Sequence, residues 1–120
     1  MNKNNRNDKI TDVFAPAIDA HVHLLPERLL RSIQRALNEE AGWQFSHPVE
    51  GNEIEQVLEA AGVERYFVLP YAHKPEMADD LNDWVLDWAE DSASVPFATV
   101  HGDDDVERVV DRAFENVREG

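Results

Sequence analysis

The residues best equipped for chemistry stand close together near the start of the chain, in Ile18-Asp19-Ala20-His21-Val22-His23-Leu24. Imidazole nitrogens and carboxylates are proton carriers and metal ligands, and here the spacing matters as much as the types. In an extended strand alternate side chains share a face, so Asp19, His21 and His23 are expected on one side and Ile18, Ala20, Val22 and Leu24 on the other. Two strand residues in this relation have Cα atoms roughly 6.5 to 7 Å apart. Each ring has to come only about 2.0 to 2.1 Å from a shared cation, so both can converge on one ion beyond the end of the strand. Asp19 would then ligate the ion or orient a ligand ring. The plainer alternative is that each histidine hydrogen-bonds a neighbour.

Composition narrows which metal that would be. The chain has no cysteine, which removes disulfides and thiolate sites and leaves His, Asp and Glu as ligands. Such a set suits zinc first, then manganese or iron, in a catalytic rather than a closed structural site. At 120 residues there is room for one small domain, 1–120, with a modest core. No apolar run is long enough to span a membrane, and the polar start over residues 1–14 reads as a mobile lead-in without the apolar region of a secretory signal. A cytoplasmic protein is expected.

Charge excludes two partner classes. Against 25 Asp and Glu stand 11 Lys and Arg, a formal net charge of −14, and a surface of that sign repels nucleic acid and anionic membrane. Only Lys3, Lys9 and Lys74 are lysines. The acidic residues run through every segment rather than forming a single patch. This dispersal matches adaptation to a high-salt cytoplasm, where counterions screen the self-repulsion, better than it matches a dedicated cation or partner site.

The elements that must position the histidines follow from hydrophobic period. The first strand is expected over Ala17 to Leu24. Pro26 suits a helix start, and Leu29, Leu30, Ile33, Ala36 and Leu37 continue it to about Glu39. From Glu40 to Gly51 no period survives, and Trp43, Phe45 and His47 suggest either a surface connection or a lid over the end of the first strand. Asn52 is a candidate N-cap for a second helix through Ile54, Val57, Leu58 and Ala61, stopped by Gly62. Tyr66 to Leu69 is an apolar run suited to a strand covered on both faces. Met77, Leu81, Trp84, Val85 and Trp88 share one face of a third helix, with Asp79 and Asp83 lying mostly away from it. A third strand is expected over Val95 to Val100, and a last helix carries Val106, Val109, Val110, Ala113, Phe114 and Val117. Strands separated by helices in this rhythm make an α/β fold with parallel strands.

In parallel α/β folds ligands bind outside the carboxyl ends of the strands. His21 and His23 fall at that end of the first strand, His73 just beyond the second and His101 at the end of the third. For His73 an exposed loop position is the simpler reading. For His101 a ring satisfied by nearby backbone stands beside substrate contact.

Ile18-Asp19-Ala20-His21-Val22-His23 resembles the opening strand of the amidohydrolase superfamily, in particular its amidohydrolase-related branch, similar to aminocarboxymuconate-semialdehyde decarboxylase. The likeness extends through Ala78-Asp79-Asp80-Leu81-Asn82-Asp83-Trp84 and Val95-Pro96-Phe97-Ala98-Thr99-Val100-His101. The resemblance implies a TIM (β/α)8 barrel in which His21 and His23 bind a divalent metal and a small-molecule substrate is hydrolysed or decarboxylated. It also implies further ligands and an acid or base from later strands. This sequence matches only the first three strand-helix units, so the barrel is expected to be incomplete here, as in a truncated product or one part of a split enzyme. The first and third strands would then be uncovered edges, open to self-association or to pairing with a C-terminal part. The contrasting expectation is a non-catalytic remnant or interaction module that keeps the family's shape.

Overall fold

The apolar run centred on Tyr66-Phe67-Val68 becomes the middle of the molecule. In the computed structural model, which describes residues 17–44 and 47–119, three parallel strands lie in the order β1-β2-β3. They are β1 (Ala17–Val22), β2 (Val63–Val68) and β3 (Ser94–Pro96). Between and after them run α1 (Glu27–Ala41), α2 (Gly51–Ala60), α3 (Ala78–Glu90) and α4 (Val106–Glu119). The expected lead-in over 1–14 and Phe45 of the expected lid lie outside the described residues. Among the described residues no helix is long and apolar enough to cross a membrane.

The helix boundaries follow from local chemistry. Pro26 precedes α1 and its carbonyl accepts from the amides of Leu29 and Leu30, while Gly42 ends the helix at a φ of 65° that glycine adopts without strain. The cap of α2 is Glu50 rather than Asn52. Its carboxylate takes the amides of Asn52 and Glu53 at 3.0 and 3.1 Å, two of the donors a helix start leaves unpaired. Gly51 is required where it stands, because a Cβ there would lie 2.6 Å from the indole ring of Trp88. That contact brings the start of α2 onto α3.

Two apolar clusters hold the sheet and helices together. Leu24, Tyr66, Val68 and Val85 are fully buried in the first, with Ile54 and Leu58 of α2 and the stacked pair Trp84 and Trp88 of α3 against them. Leu25, Ala72, Ala78, Leu81 and Val109 form the second, which joins α1, α3 and α4. Within the first, the Tyr66 hydroxyl donates to Glu55 at 2.7 Å and accepts from the Trp88 indole at 3.0 Å. Burial, reinforced by the Glu55 carboxylate, pushes this phenol up to about 12. Outside the core, Arg108 and Arg112 of α4 reach Asp79 and Asp83 of α3, each at 2.8 Å. The acidic residues assigned from sequence to an outward face thus tie the last two helices together.

The third strand is half the expected length. It ends at Pro96, with the Phe97 amide still donating to the Val68 carbonyl at 3.1 Å, and the chain from Ala98 to Val100 runs on outside the ladder. Beyond it an amide from another element takes over. Asn82, only 3% exposed, accepts from the Thr99 amide at 2.8 Å and donates to the Thr99 carbonyl at 3.0 Å. A side-chain amide thereby takes the two backbone groups that a neighbouring strand would otherwise engage.

Candidate functional site

The site is built outward from two leucines. Leu24 belongs to the first apolar cluster and Leu25 to the second, so the chain directly after His23 is anchored on both sides. The strand leading to them is not regular. Asp19 stands beside Tyr66 and Val22 beside Val68, so three steps on β1 match two on β2. One extra residue is therefore bulged, and strict alternation fails between Asp19 and Val22. Past the bulge it resumes. Val22 packs into the first cluster, and His21 and His23 flank it on the opposite face, the face that also takes Phe67.

There the two rings meet. Nε2 of His21 and Nε2 of His23 are 2.9 Å apart, with the rings edge-on at 78° and their centroids 4.7 Å apart. Nδ1 of His23 lies 2.9 Å from the carbonyl oxygen of Leu69, just past β2. A carbonyl only accepts, so that nitrogen carries the hydrogen and the Nε2 of a neutral His23 presents a lone pair. His21 Nε2–H then donates to it. This is the orientation metal-bound histidines adopt, with the far nitrogen held by a carbonyl and the near one aimed at the ion. The residues that would hold a divalent ion here are His21 and His23, each through Nε2. A cation would take the place of the shared hydrogen, with His21 moving its own to Nδ1.

Asp19 contributes through the backbone. Its Oδ1 accepts from the His21 amide at 3.0 Å, holding the bulge from which His21 projects. Among the described residues no group of three or more His, Asp and Glu is placed to hold a metal. The two imidazoles therefore fit a divalent ion as two ligands, one fewer than the three protein ligands usual in catalytic zinc sites.

The other candidates lie along the same rim without joining the pair. His73 is exposed and stacks beside Tyr71, with centroids 6.5 Å apart. His101 sits past β3 in a turn of its own, where Nδ1 accepts from the Asp103 amide at 3.1 Å and Asp103 Oδ2 stands at 3.9 Å. The region read as a possible lid does approach His23. His47 and Val49 share a cavity wall with it, and Gln34 of α1 donates to the His47 carbonyl at 3.3 Å.

Sequence reasoning missed the Glu50 cap, the bulge and the hold of Asn82 on Thr99. Only the first had a local signal, a carboxylate just ahead of a glycine and a helical period. Comparison with family models, curated proteins and solved structures gives no match to this chain.

Proposed function

We propose that the chain forms the first three strand-helix units of an amidohydrolase-related (β/α)8 barrel. In this reading His21 and His23 are ligands to a divalent metal, zinc before manganese or iron, in a hydrolase or decarboxylase acting on a small molecule. The observation that carries it is the meeting of the two Nε2 atoms at 2.9 Å, with the far nitrogen of His23 on the Leu69 carbonyl. The parallel sheet supports it too, since the pair lies at the carboxyl end of β1, the end where α/β folds bind ligands. When bound, such an ion would supply acidified water and a polarised substrate carbonyl or carboxylate. Leu24 and Leu25 fix where the rings stand, Asp19 sets the backbone of His21, and Leu69 selects the tautomer of His23. His73 and His101 are candidates for contacts on the substrate side.

The test is zinc uptake by the purified chain and by the His21→Ala, His23→Ala double variant. Wild type should bind zinc in an equilibrium titration more tightly than the variant; equal affinity in both defeats the proposal.

A second reading, a non-catalytic interaction module, is favoured by a different observation. Ile18 on one edge of the sheet, with Phe97 and Phe114 near the other, are 61%, 45% and 59% exposed, more apolar surface than a finished barrel leaves open. These faces suit self-association or docking of a C-terminal part. Sedimentation of a dilution series distinguishes them, because self-association is lost on dilution and a monomer at all concentrations removes it.

A further inference from the structure

A cavity of about 470 Å³ opens between α1, the segment after it and α2. Its walls are Ile33 and Leu37 of α1, Val49 of the connecting segment, and Ile54 and Leu58 of α2. The volume falls within the roughly 300 to 1,000 Å³ of small-molecule sites, and an apolar wall with few polar groups is their usual composition. Those polar groups are His23, Gln34 and His47. His23 is thus common to the cavity and to the ring pair.

The wall, like that of the second cavity below, carries no acidic side chain among the described residues. Although 25 of 120 residues are Asp or Glu, none of the described ones lines this cavity. In a protein of net charge −14 this is a place where an anion meets no carboxylate at contact distance. A second cavity of about 360 Å³, lined by Phe97, Phe114 and Val117, differs on the decisive point. The polar group there is Asn82, already engaged with Thr99, and no histidine lines it.

We infer that the first cavity receives the hydrocarbon part of an aliphatic carboxylate whose head group lies at the His21–His23 end. The apolar walls take the chain and His23 marks the polar end, while the nearby Asp19 has one carboxylate oxygen engaged at the His21 amide. The inference deepens the metal reading and rests on it for the head group, since an ion on two neutral imidazoles would be the positive charge that the carboxylate meets.

The probe is octanoate, titrated calorimetrically into the chain with and without zinc, while zinc binding is measured on its own. Val57 lines the cavity but is 57% exposed, so Val57→Trp can close the mouth and Val57→Glu can set a like charge at it without disturbing the core. Each should weaken octanoate by about tenfold or more, zinc should strengthen it about tenfold, and Phe114→Ser in the second cavity should leave it unchanged. Binding that ignores both Val57 variants, or that falls with Phe114→Ser, overturns the inference. So does bound zinc without any gain for octanoate, an outcome that leaves the metal reading standing. Zinc that fails to bind overturns the metal reading by itself, and the Val57 variants still decide the cavity.

Discussion

Two histidine positions on the same rim have opposite fates. At the end of β1 the rings of His21 and His23 turn toward each other, and their near nitrogens share one hydrogen that an ion could replace. Past β3 the ring of His101 folds onto its own turn, its Nδ1 taken by the Asp103 amide. The difference lies in what each is mounted on. His23 is followed by Leu24 and Leu25, which are 0% and 4% exposed and enter two separate apolar clusters. His101 follows a segment that leaves the sheet after Phe97 and is pinned at Thr99 by Asn82. The same residue type at the same end of a sheet thus becomes a paired donor set where the core fixes it, and a turn anchor where the strand has already ended.

Breaking the pin should have the largest effect. Asn82→Ala leaves the amide and carbonyl of Thr99 without their partner in a partly buried setting, so a loss of about 3 kcal/mol is expected in chemical denaturation. Next in size is the contrast between the rings themselves. His21→Ala or His23→Ala should weaken zinc about a hundredfold, close to 2.7 kcal/mol, while His101→Ala leaves zinc binding as it was. An equal response from His101 would erase the distinction.

The platform beneath His23 supplies a third test. Tyr66 packs with Leu24, and the folded state holds its phenolic proton up to about 12 against an ordinary value of 10.0. The folded chain therefore binds a proton that the unfolded chain releases above pH 10. The stabilisation is complete below pH 10 and disappears as pH rises from 10 to about 12, a loss of about 2 kcal/mol that Tyr66→Phe should flatten in denaturation curves across that window. The smallest effect is expected from His101→Ala on stability, about 0.5 kcal/mol or less, since its turn is exposed and keeps the Asp104 amide on the residue 101 carbonyl.

What could be read in the sequence was what depends on near neighbours. The apolar run Tyr66-Phe67-Val68 makes a central strand, Pro26 and Gly62 bracket helices as their chemistry requires, and the stripe from Val106 to Val117 folds as one helix. The histidine pair was visible because its spacing is itself local. What escaped depends on residues distant in the chain. Thr99 meets Asn82 from 17 positions away, and Arg108 and Arg112 meet Asp79 and Asp83 from 29 positions away, although the matched four-residue steps on the two helices were there to be noticed. The bulge in β1 escaped for another reason. It comes from the register against β2, which no period within β1 encodes.

The short third strand and the hold of Asn82 just past it have an effect on the edge of the sheet. A border strand in an open sheet is a template on which further chains can stack, and growth of that kind feeds on consecutive vacant backbone groups. The ladder at β3 spans only Ser94–Pro96, Pro96 has no N–H to offer, and past it the N–H and C=O of Thr99 are both occupied by Asn82, so few vacant groups stand in a row. On that side the molecule can keep the oily flank of Phe97 and Phe114 exposed while offering little edge for ribbon-by-ribbon polymerisation.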